Sequence, residues 1–77
     1  MKISLELYGP LPPLPTEPPA ELELSEGSDV EDLLAAVGYD EHDALRLNVL
    51  VNGISVAMLT KLKHGDAVAI TLLAGGG

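Results

Sequence analysis

The sequence predicts an α+β domain, a mixed sheet of four to five strands with one main helix packed across it. Three observations carry that prediction. Period-two alternation marks both "MKISLELY" and "AVAITLL". A single stretch with helical spacing, "SDVEDLLAAV", lies between them. An Asn-Gly pair separates the apolar runs "LNVLV" and "ISVAM". Strands flanking one amphipathic helix bury their apolar faces as two layers.

The opening strand turns Ile3, Leu5 and Leu7 one way and Lys2, Ser4, Glu6 and Tyr8 the other. After Gly9 come prolines at 10, 12, 13, 15, 18 and 19. Proline cannot donate to a ladder and clashes inside a helix, so residues 9–19 read as an irregular or polyproline-like loop. "AELELS" restores the alternation with Leu22 and Leu24 inward, a short second strand paired with the first. Ser28 followed by Glu31 reads as a capping box, and Asp29, Glu31 and Asp32 place negative charge on the first turn. Val30, Leu33, Leu34 and Val37 form one apolar face of a helix from about 29 to 37, with Gly38 as its stop. So short a helix needs the sheet for stability.

"YDEHDALRL" is polar and reads as a turn or a loosely helical crossover. Leu47, Val49 and Val51 alternate up to Asn52-Gly53, the preferred two-residue type I′ turn, and Ile54, Val56 and Met58 carry the return strand. Leu59 and Leu62 anchor a connector, Gly65-Asp66 marks a turn, and Val68, Ile70 and Leu72 share one face of the last strand. Leu59, Leu62 and Leu72 are expected in the core. If the first and last strands pair in parallel at the centre, the chain leaves the sheet at the end opposite Met1.

With 77 residues the chain is one domain, read as a body over 1–73 followed by a flexible glycine segment over 74–77. It contains no cysteine, which excludes disulfide staples, thiolate catalysis and thiolate metal sites. Twelve acids against four bases give a formal charge of −8, which argues against nucleic acid as a partner. The acids concentrate between Glu17 and Asp43, either as a solvated face or as a steering surface for a protein. No apolar run approaches a membrane span and no signal peptide is visible, so a cytoplasmic protein with no membrane partner is expected.

Several residues invite sharper readings. His42 and His64 lack any metal-ligand spacing, so no metal site is expected. Asp66 follows a turn glycine, where Asp bonds its own backbone. Glu31 and Asp32 belong to the helix start rather than to acid-base chemistry. Two overlapping PxxP matches, Pro10 to Pro13 and Pro12 to Pro15, allow an interaction-module reading but lack a flanking arginine. The closing "AGGG" admits two readings from its residues alone, a frayed end or a functional arm.

Taken in order, "SDVEDLLAAV", "VNGISV", "LKHGDAVAI" and "AGGG" resemble the ubiquitin-like β-grasp sulfur carriers of the MoaD/ThiS family. The resemblance implies a β-grasp fold and a non-enzymatic protein. Its terminal glycine carboxylate is adenylated by a partner ATPase of the MoeB/ThiF type and converted to a thiocarboxylate. The reactive position is then Gly77, or Gly76 if the last residue is trimmed, with Gly75 and Gly76 as the flexible run before it. The resemblance implies no bound cofactor, with ATP used by the partner. A synthase subunit accepts the sulfur, for molybdopterin or for the thiazole of thiamin. More distant members are attached to lysines as protein modifiers. This chain has three glycines where the pattern ends in two, lacks the proline common before them, and places a proline-rich loop first. The resemblance also implies docking of the activating enzyme on the exposed sheet face beside the tail, for which Leu50, Ile54 and Leu73 are the candidates, being out of phase or terminal.

Overall fold

A computed structural model describes residues 1–73; the assignments made to Gly75, Gly76 and Gly77 lie outside the described residues. The elements in order are β1 (Lys2–Leu7), β2 (Glu21–Glu23), α1 (Val30–Val37), α2 (Glu41–Ala44), β3 (Leu47–Val51), β4 (Ile54–Ser55) and β5 (Ala67–Leu72). They build a five-stranded sheet in the order β2-β1-β5-β3-β4. β1 and β5 run parallel, and the other neighbours are antiparallel. This is the β-grasp arrangement the sequence predicts, with α1 packed across one face.

The alternation sets the register. Leu5 lies opposite Val68, and Val49 opposite Ile70, so the inward residues of three strands meet under the helix. Ile3, Val30, Leu33, Leu34, Val49 and Ile70 are the most completely buried side chains. Leu62 joins them at 4 % exposure, as expected. Leu59 does not, being 70 % exposed, and Leu72 is 37 % exposed. Leu59 occupies the reverse turn that Thr60 closes by donating to the Ala57 carbonyl, so its side chain is turned to water. Leu72 has the inward parity, opposite Leu47, but stands at the end of its strand where cover runs out.

The capping box of α1 forms one residue later than expected. Asp29 is the N-cap; its Oδ1 accepts from the Asp32 amide at 2.9 Å, and Asp32 Oδ2 accepts from the Asp29 amide at 3.0 Å. Ser28 is committed elsewhere, because its carbonyl accepts from the Leu62 amide and its amide donates to Ser25. The connector satisfies two further first-turn amides, with Val30 donating to the Thr60 carbonyl and Glu31 to the Met58 carbonyl. β4 ends early: Val56 still donates its amide to the Val49 carbonyl, but Ala57 then enters the turn that Thr60 closes. Val56 and Met58, expected to extend the return strand, lie beyond Ser55 as half-buried residues at the margin of the core.

α1 stops at Gly38, whose φ of +120° is closed to most side chains. "EHDA" forms a one-turn helix, α2, with a second capping box between Asp40, its N-cap, and Asp43. One turn is too brief to show helical periodicity. The Asn52-Gly53 hairpin has φ of +53° and +84°, both positive as a type I′ turn demands. The proline-rich connection forms no strand or α-helix, yet Leu11 and Leu14 pack on the core, and the Tyr39 hydroxyl donates to the Pro12 carbonyl at 2.9 Å.

Candidate functional site

With Val68 and Ile70 turned under the helix, Ala67, Ala69 and Thr71 of β5 must face the other way. Their register partners join them there: Ser4 and Glu6 from β1, Asn48 and Leu50 from β3. Alanines on the middle strand make this face shallow along its centre. Leu50 lies between Ala69 and Ser55 in register and is half-buried. Ser55 Oγ donates to Asn48 Oδ1 at 2.7 Å, fixing the β4 edge of the face. At the other edge the register continues to Glu21 and Glu23 on β2, so an apolar strip is bordered by carboxylates. The Tyr8 hydroxyl donates to the Glu6 carboxylate, and that bond, followed by the charge beside it, pushes the phenol above its ordinary range.

The face leads to the end of β5. Leu73, beyond the ladder, donates its amide to the Arg46 carbonyl at 2.9 Å, which pins the strand where the chain passes out of the described residues. Leu73 is 55 % exposed and has the parity of Ala69 and Thr71. It thus falls on the Leu50 side, about 13 Å along the strand from Ala69. Ile54 does not. It lies opposite Val51, which lies opposite Val68, so this 68 % exposed side chain belongs to the helix-bearing side. The three docking candidates therefore divide into Leu50 with Leu73 on one face and Ile54 on the other.

The remaining candidates have structural partners. Asp66 Oδ1 accepts from Asn52 Nδ2 at 3.0 Å, its Oδ2 accepts from the Lys63 amide at 2.8 Å, and Asn52 Oδ1 accepts from the Ala67 amide at 3.0 Å. This clamp ties the hairpin turn to the start of β5. His64 Nδ1 accepts from the Lys2 amide at 3.0 Å. Among the described residues no group of three His, Asp or Glu side chains is placed to hold a metal. The two PxxP matches lie in a connection whose leucines and Pro12 carbonyl are turned to the body.

Ala67 and Ala69 were not singled out from the sequence, although inward Val68 and Ile70 oblige them to face outward. Leu45, 76 % exposed at the end of α2, was also passed over, because the "DALRL" stretch shows no periodicity against which to judge it. The described residues offer an exposed face and a strand end pinned at Leu73.

Fold and face together define a ubiquitin-like β-grasp protein. The ThiS family model matches residues 6–77, and the chain belongs to that family. Among solved structures, SAMP1 from Haloferax volcanii superimposes with a TM-score of 0.70 over 100 % of both chains at 19 % identity, a likeness of fold. No curated protein matches the chain significantly. No helix among the described residues is long and apolar enough to cross a membrane.

Proposed function

We propose that this protein is a ubiquitin-like carrier of an activated C-terminal acyl group. The carboxylate at Gly77, or at Gly76 after loss of one residue, attacks the α-phosphorus of ATP on a partner ATPase of the MoeB/ThiF type. Pyrophosphate leaves, and the product is an acyl adenylate. A carboxylate resists nucleophiles because of its own charge, so this activation must precede any transfer. The supporting observation is the geometry of β5, a central strand pinned at Leu73 and leading directly into "AGGG". Glycines at 75 to 77 enter a narrow channel without a Cβ to collide, each adding about 3.3 Å of reach.

Two nucleophiles can displace AMP from the adenylate. Hydrosulfide attacks the acyl carbon, expels AMP and leaves a thiocarboxylate, the sulfur-carrier fate, with molybdopterin or the thiazole of thiamin as acceptor through a synthase subunit. A lysine amine gives an isopeptide bond, the modifier fate. The missing proline before the glycines departs from the molybdopterin branch, and the proline-rich first connection fits neither that branch's helical segment nor the tight first hairpin of the thiazole branch, which leaves the modifier fate open beside the carrier fate. Leu50 and Leu73 form the docking face in this reading.

The test is ATP-dependent adenylation by a purified partner ATPase. The full chain is adenylated, and deletion of 75–77 abolishes the reaction. Leu50→Glu lowers the rate at limiting carrier by about tenfold through lost docking. Binding that ignores both changes and disappears on replacement of Pro12 and Pro13 would support the interaction-module reading instead.

A further inference from the structure

Between α1 and α2 the surface opens into a groove of about 650 Å³. Its apolar lining includes Leu34, Ala44 and Met58, with Leu45 at the margin. Leu34 is almost wholly buried, whereas Leu45 is 76 % exposed, so one aliphatic side chain overhangs a wall of others. A lone exposed leucine is ordinary; one beside a concave apolar wall adds to a surface still to be covered. The groove lies on the helix-bearing side, opposite the face that carries Leu50.

Its charge narrows the choice of occupant. All four ionised side chains that line the groove are carboxylates: Glu31, Asp32, Asp40 and Glu41. Asp32 gives Oδ2 to its capping bond and keeps Oδ1 for an incoming donor, and Asp40 gives Oδ1 to the Asp43 amide. Glu31 and Glu41 form no ion pair among the described residues. The nearby Arg46 lies against Asp43 at 3.5 Å and does not line the groove. Phosphates of a nucleic acid or an anionic membrane are repelled by such a rim. A second copy of this chain, with a net charge of −8, complements it poorly. "AGGG" carries no cationic side chain to meet it.

We propose that this groove docks a basic amphipathic segment of a partner protein, with an aliphatic side chain seated on Leu34, Ala44 and Met58 beside Leu45 and flanking Lys or Arg side chains meeting Glu31, Asp32, Asp40 and Glu41. The inference stands independently of the acyl-carrier reading. Because the groove and the Leu50 face lie on opposite sides of the sheet, the protein can hold one partner on each.

The probe is a synthetic helical peptide with leucines at i and i+4 flanked by lysines, titrated into the full isotope-labelled chain and followed by backbone amide shifts. The expected shifts cluster on Ala35, Ala44, Leu45 and Met58. Raising the salt from about 0.05 to 0.5 M weakens binding severalfold. Leu45→Lys and Glu41→Lys each weaken it by about tenfold. Glu26→Lys makes the same charge change outside the groove and leaves affinity within about twofold. All these positions are exposed, and the unperturbed spectrum of each variant verifies its fold. Shifts centred on the Leu50 face, equal losses from Glu26→Lys and Glu41→Lys, or equal binding of a peptide with glutamates in place of the lysines would overturn the proposal.

Discussion

At Tyr39 one hydroxyl joins two parts of the molecule distant in sequence, donating to the Pro12 carbonyl from a ring that is 3 % exposed. Tyr39→Phe removes that bond and leaves the carbonyl short of a partner. A loss of about 1 kcal/mol is expected, read from urea unfolding. Burial, and after it the Asp43 carboxylate, push the Tyr39 phenol above its ordinary range. Above about pH 10 the unfolded chain has released a proton that the folded chain retains. Stability therefore falls as pH rises from there through the folded pKa. Tyr8 is also raised, so the difference between wild type and Tyr39→Phe isolates the Tyr39 part of that slope. Asp40 has the opposite sign. The Asp43 amide, bonded to its carboxylate, holds it below the usual aspartate range. Its contribution is present above the unfolded pKa and is lost as pH falls through the folded one. Amide exchange at Asp43, normalised for the intrinsic effect of pH, should show protection disappearing in acid, and Asp40→Ala should remove that pH dependence.

α1 and the proline-rich connection meet at Gly38. A Cβ there would stand 3.1 Å from Leu14 Cδ2, on a backbone whose φ is +120°. Gly38→Ala is expected to cost about 1–3 kcal/mol, mostly from the backbone. Adding Leu14→Ala should give a double mutant less destabilised than the sum of the singles, since the crowding is then gone. A strictly additive thermal-unfolding cycle would show that the loop does not press on the helix end. Elements of this kind show how far the sequence could be read. β1, α1, the hairpin and β5 were legible because their periodicity or turn chemistry is local. The Ser28 box was misplaced because Asp29 and Asp32 satisfy the same pattern one residue on, and the bonds that decide between them include long-range ones, from Leu62 to the Ser28 carbonyl and from Glu31 to the Met58 carbonyl. β4 ends early at a turn closed from Thr60 to Ala57, after which Met58 and Thr60 give their carbonyls to α1, contacts with no trace in "ISVAM".

For the whole molecule, parallel pairing of β1 with β5 sends the last strand away from the Met1 end of the sheet, toward Leu73 and the glycines beyond. The outward face was legible as alternation. That Leu50 and Ile54 lie on opposite sides required the hairpin register, Val51 opposite Ile54. The central claim is that the body presents a C-terminal acyl group for activation. It is tested most directly by intact and fragment mass spectrometry of the protein isolated with its native activating machinery. The account predicts covalent change at the terminal glycine, Gly77 or Gly76. The change is either a thiocarboxylate, a gain of about 16 Da from sulfur replacing oxygen, or an isopeptide bond to a lysine of another protein. Fragmentation is required because oxidation of Met1 or Met58 adds nearly the same mass. A terminal carboxylate that stays unmodified, with every mass gain confined to methionine, would contradict the account.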